Sequence, residues 1–155
     1  MDFRIFFRGK RAVLPTLLCL MVAGRALAAG AAAELDALLA SPAVTYAQAS
    51  RFVLDAAGET FADPALAFDF ARERNWLSGN AEPDAPARLD GVSLLLMRSF
   101  GLGGGILFTL TGSPHFAYRE MEHMGFIEGR VSPRQTVSGD LLLYLTGRVL
   151  AHMGE

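Results

Sequence analysis

His115, Arg119 and His123 fall at successive four-residue steps, a spacing that sets both imidazoles on one face of a helix. Glu120 and Glu122 lie between them. A histidine beside a carboxylate can act as a general base in hydrolysis, and two histidines with a carboxylate can begin a zinc site. Yet the imidazoles stand two helical turns apart, and the chain has only three histidines. The face therefore reads as a solvated one, and no metal or cofactor is expected. Asp69 and Glu73, one turn apart beside Arg72 and Arg74, read as surface ion pairs rather than as an acid–base pair. Gly101 to Gly105 (GLGGG) lacks the Lys-Ser/Thr that follows a phosphate loop, so it reads as a linker. No serine occupies a Gly-x-Ser-x-Gly elbow. The expectation is a protein that is not an enzyme. The alternative is a small extracytoplasmic hydrolase using His115 or His123 with Glu122.

The elements that must position these residues show a repeat. AFDFARERNWLSG, from Ala67, and AYREMEHMGFIEG, from Ala117, share one pattern. Phe68 matches Tyr118, Trp76-Leu77 matches Phe126-Ile127, and Gly79 matches Gly129. After a two-residue slip, Leu89-Asp90-Gly91 matches Val137-Ser138-Gly139. A spacing near fifty residues argues for stacked units, each too small to bury its apolar face alone. On this alignment Trp76 and Phe126 are equivalent core anchors.

The N-terminus reads as an export signal. Arg4, Arg8, Lys10 and Arg11 form a basic stretch, Ala12 to Gly24 an apolar one, and Ala26-Leu27-Ala28 a peptidase site. Cys19 follows Leu18, where a lipoprotein signal needs a small residue, and reads as part of the apolar stretch. Cleavage after Ala28 would leave nine basic residues, all Arg, against fifteen acidic ones, a net charge of −6. Such a chain lacks the basic stripe that nucleic-acid binding needs. It also has no thiol, no disulfide and no stable membrane span, so its stability must come from an apolar core.

The periodicity predicts an all-α domain over residues 29–155. Ala33 to Ala40 reads as a short first helix. Thr45 caps Tyr46 to Ala57, with Gly58 at its end, and Asp63-Pro64 opens Ala65 to Asn75. Asp90 caps a helix whose Leu94-Leu95-Leu96-Met97 run is apolar on every side, which marks it as the buried centre. Ile106 to Thr111 is the one β-leaning run and reads as a loop tucked on the core. Ser113-Pro114 opens Pro114 to Met124, closed by Gly125. Ser138 caps the last helix, with Leu141, Leu142, Leu145 and Val149 as its inward stripe.

This order (helix, apolar pair, Pro-bearing loop, capped motif, second helix) resembles the S-layer homology (SLH) repeat. The motif that opens its second helix, Ile-Thr-Arg-Ala-Glu, is similar to Val44-Thr45-Tyr46-Ala47-Gln48. Leu89-Asp90-Gly91-Val92-Ser93 and Val137-Ser138-Gly139-Asp140-Leu141 stand at the matching places, with Ala87 and Arg88 as an insertion. The resemblance spans about residues 33–152 and implies three helix-loop-helix repeats. The first is truncated, with Leu38-Leu39 as its apolar pair and Pro42 as its loop proline. It also implies a non-catalytic, exported cell-envelope module, with Tyr46, Gln48, Gly91 and Gly139 as binding positions. Its partner would be an envelope component, a protein or a cell-wall glycan. In the family the motif Arg is associated with gripping anionic wall polysaccharide. Tyr46, Gly91 and Gly139 stand in its place here, so acidic polymer is expected to bind weakly or not at all.

The export reading gives a first prediction. Intact-mass measurement of the exported protein should find a chain that begins at Ala29, within a residue or two. A product recovered from membranes with Met1 still in place would contradict it.

Overall fold

Three helix starts, at Tyr46, Leu89 and Gly139, leave backbone N–H groups that a helix cannot satisfy by itself. The way these donors find partners organises the fold. The computed structural model describes residues 32–129 and 131–154, and the chain divides into the units Met1–Ala37 and Leu38–Glu155. The export-signal residues 1–28, Cys19 among them, lie outside the described residues. Residues 32–39 are helical (α1). They are followed by α2 (Tyr46–Ala56), α3 (Pro64–Glu73), α4 (Leu89–Ser99), α5 (Ile106–Thr111), α6 (Pro114–His123) and α7 (Gly139–Met153). All regular structure among the described residues is helical, apart from two isolated bridges that pair Thr45 with Pro86 and Arg88 with Thr136.

Those bridges belong to a closed ring of backbone hydrogen bonds. The Val44 N–H donates to the Val137 carbonyl at 2.9 Å, the Val137 N–H to Ala87 at 2.9 Å, and the Ala87 N–H to Val44 at 2.8 Å. All three residues have no solvent exposure. One step outward, the first helical N–H of each helix meets a carbonyl of a neighbouring loop: Tyr46 to Ala85 at 3.1 Å, Leu89 to Gln135 at 2.9 Å, Gly139 to Ser41 at 3.0 Å. Donors that would be orphaned in a dry interior are thereby paired without side chains.

The next donors use side chains, and here the local sequence decides. Thr45 and Gln48 form a reciprocal capping box, with N–H to oxygen distances of 3.2 and 2.9 Å. Ser138 Oγ accepts from the Leu141 N–H at 3.3 Å. At α4 the capping residue is Arg88, not the expected Asp90, and a guanidinium cannot accept. Asp90 sits in the first turn instead, where its Oδ1 accepts from the Gly91 N–H at 2.9 Å. Ala87 and Arg88 thus stand before α4 as Val137 and Ser138 stand before α7. Prolines open both α3 and α6, at 64 and 114, and α4 and α7 begin at 89 and 139. One constant offset relates them, and the two-residue slip disappears.

Around the ring, α2, α4 and α7 contact one another, while α3 packs on α2, and α6 packs on both α4 and α5. The central position of α4 matches its sequence: Leu94, Leu95, Leu96 and Met97 are at most 1% exposed. In α7, Leu142, Leu145 and Val149 are buried, whereas Leu141 is only half-buried because it lies one step off that stripe. Phe126 is buried. Trp76 is half-buried, set edge-on to Phe70 at 5.9 Å between ring centres. The two aromatics match in chain position but not in burial, because Trp76 joins an outer cluster with Phe70 and Arg74. Ile106 to Thr111 is a short helix rather than a loop. Only Phe108 of it is buried, while Ile106 and Leu110 are 80% and 77% exposed. The glycines before it do more than link: a Cβ on Gly104 would strike the Phe108 ring, and one on Gly105 the Glu120 carboxylate.

Two glycines of α7 test this packing with opposite signs. A Cβ on Gly139 would fall 1.8 Å from the Leu38 carbonyl oxygen, a backbone atom that cannot swing aside. Gly147 has nothing within 4 Å. Gly139→Ala should lower stability by about 1–3 kcal/mol through overpacking. Gly147→Ala should raise it by roughly 0.5–1 kcal/mol through helix propensity. Urea denaturation of both variants checks this, and equal shifts would contradict the packing at the ring.

Candidate functional site

The four motif positions fall into two structural classes. Tyr46 and Gly139 are first residues of their helices, equivalent to Leu89, whereas Gln48 and Gly91 are third residues, equivalent to Leu141. The reading that set Tyr46, Gly91 and Gly139 at one motif position is corrected accordingly. The cause is the capping residue at α4, which is Arg88.

Tyr46 and Gly91 do meet, from different helices. A Cβ on Gly91 would lie 2.6 Å from the Tyr46 hydroxyl and 2.8 Å from its ring edge, so the glycine is the space into which the tyrosine packs. The Tyr46 hydroxyl accepts from the Arg88 N–H at 3.3 Å. Arg88 Nη2 in turn holds Asp90 Oδ2 at 2.6 Å. Burial pushes the Tyr46 phenol above the usual tyrosine range; the Arg88 N–H opposes this and the Asp90 carboxylate adds to it. Gln48 is exposed and occupied with its cap, and Gly139 is closed over by the Leu38 carbonyl. The Tyr46–Arg88–Asp90 group is hidden from sequence reasoning, because residue type makes Asp90 rather than Arg88 the cap of α4.

His115, Arg119 and His123 are all exposed on α6, on its solvent side. Glu122 lies 3.9 Å from Arg119 Nε, and no group of three His, Cys, Asp or Glu suited to a metal ion occurs among the described residues. On α3, arginines lie over rings in place of the expected ion pairs. Arg72 is 5.6 Å from the Phe68 ring centre and Arg74 is 3.5 Å from that of Phe70.

The concave feature of interest is an open groove of about 510 Å³, bounded by the turn after α3, the end of α4, α5 and the start of α6. Arg98 is the one charged side chain lining it. Its guanidinium lies over Phe108, 4.9 Å from the ring centre. Gly112, at φ +56°, passes beneath it, and a Cβ there would stand 2.7 Å from Arg98 Nη2. Asn75 (itself at φ +57°), Ser78 and Ser113 add polar groups, and Leu77, Leu94 and Leu110 add apolar wall. Nothing in the spacing of the chain pointed to Arg98. The one available signal was a charged residue directly after the apolar run that ends at Met97.

The buried phenol makes stability depend on alkaline pH. Below its ordinary value of about 10 the tyrosine is neutral folded or unfolded. Above that, the unfolded chain ionises Tyr46 while the folded state resists, so stability falls as pH rises. Tyr118, also raised by burial, acts in the same direction. Tyr46→Phe should cost about 1–3 kcal/mol at neutral pH by orphaning the Arg88 N–H. It should also make the loss of stability above pH ~10 shallower than in the parent. Thermal melts across alkaline pH measure both, and parallel curves would contradict the buried-phenol account.

No family model matches the chain, and no curated protein or solved structure shows significant similarity to it.

Proposed function

We propose that this chain is a non-catalytic, exported interaction module of the cell envelope, built as three SLH-like helical units. The observation that carries the reading is the closed backbone ring through Val44, Ala87 and Val137. It relates three helix starts in cyclic order, as three copies of one unit packed about an axis would be related. The unit at α3–α4 and the unit at α6–α7 share one offset in sequence, and the unit ending in α2 is the truncated one, with α1 before its loop.

The partner on this reading is a protein or a neutral envelope surface. The first helical positions that would carry a gripping Arg hold Tyr46, Leu89 and Gly139. A mature charge of −6 adds repulsion toward polyanions. Exposed apolar side chains on α5 and α7, among them Ile106, Leu107, Leu110, Leu150 and Met153, supply contact area. No helix among the described residues is long and apolar enough to cross a membrane. The hydrolase alternative has less support, since His115 and His123 stand in solvent and Glu122 faces Arg119.

A pull-down with the exported protein as bait and purified envelope fractions as prey tests this. The expected result is a retained protein component that survives added anionic wall polymer. Tight, salt-sensitive co-sedimentation with that polymer alone would overturn the partner assignment. Chelator-sensitive turnover of wall fragments or simple esters would overturn the non-catalytic one.

A further inference from the structure

The groove at Arg98 combines features that point to one kind of occupant. Its single charge is a guanidinium, whose planar fork matches a carboxylate in a two-bond geometry. No carboxylate among the described residues forms an ion pair with Arg98, which is held only by the face of Phe108. Gly112, whose φ of +56° favours glycine, lets one edge of the guanidinium rest against the backbone there. Ser78, Ser113 and Asn75 offer hydroxyl and amide groups with no side-chain hydrogen bond among the described residues. Leu110 lines the groove while 77% exposed, and Ile106 and Leu107 continue that apolar surface along α5.

Resting on the reading of the chain as an interaction module, we propose that this groove captures the C-terminal end of a partner polypeptide. Arg98 pairs with the terminal carboxylate, and exposed Leu110, with Ile106 and Leu107 beside it, receives an apolar last side chain above the buried Leu77 and Leu94. The polar groups around the guanidinium favour a peptide over an alkyl acid. They can bond the last amide units, which an acyl chain would leave unsatisfied. Capture of chain termini by converging donors is a known mode of peptide recognition. The volume of about 510 Å³ falls within the range of small-ligand clefts, roughly 300–1,000 Å³. A net charge of −6 after cleavage at Ala28 would not prevent this. Charges beyond about 8 Å are screened at physiological salt, whereas the Arg98 contact is direct.

The test uses the exported protein and fluorescein-labelled pools of short peptides ending in Leu, made as free acids and as C-terminal amides. Polarisation should show binding of the acids. The amides should bind roughly tenfold more weakly or worse, the loss expected for one charge-assisted pair. Arg98→Gln should bring acid and amide to the same weak level, Arg98→Lys should fall between, and Arg119→Gln, on the solvent side of α6, should bind as the parent does. Dodecanoate should not compete. Equal affinity for acid and amide in the parent, no binding of either, or competition by dodecanoate would overturn the proposal, even if the variants failed to fold. An envelope protein retained equally by the parent and Arg98→Gln would overturn this inference while leaving the interaction-module reading intact.

Discussion

The fold depends on a problem of buried backbone. Helices α2, α4 and α7 all begin in the interior, and a helix start carries N–H donors with no partner of its own. Water cannot reach Val44, Ala87 or Val137, so the donors there must pair with protein or cost about 1–3 kcal/mol each. Three chain segments solve this together by donating in a circle. No one of them could do so alone, which couples the segments into one cooperative core rather than a row of independent units.

Much of the remaining structure follows from that closeness. Segments brought within hydrogen-bond reach leave little room for side chains, so a glycine stands at 139 against the Leu38 carbonyl and another at 91 against Tyr46. The same crowding forces α4 to be apolar all round, since α2, α6 and α7 cover it. Where the interior ends, at Arg98, the first charge on the buried run of α4 emerges beside the groove. The groove is therefore a product of the packing: the last turn of the most buried helix meets a short helix, α5, that the core covers on only one side.

The sequence displayed those parts of the fold that rest on side-chain chemistry. Thr45 with Gln48, Asp63 before Pro64, and Ser138 are caps that residue type alone identifies, and the apolar run at Leu94 marks its own burial. The ring was not legible, because backbone bonding leaves no residue signature beyond small or branched apolar residues at 44, 87 and 137. That gap explains the misplaced register. Asp90 is a better capping type than Arg88, so residue type alone sets the helix start two residues late. Ile106 to Thr111 misled for a related reason: its residues favour strands, but no partner strand exists among the described residues, and the local i to i+4 bonds prevail. The Arg98 groove assembles residues from 75 to 114, and its shape arises only from the packing.

The central claim is that the ring closes the core and opens only when the whole unit does. Native-state hydrogen exchange of the Val44, Ala87 and Val137 amides tests it most directly. The account predicts that all three exchange last and share one opening free energy, equal to that of global unfolding by denaturant. Exchange of any one through a separate, cheaper opening would contradict it, and would mean that the segments are independent elements in contact rather than one closed ring.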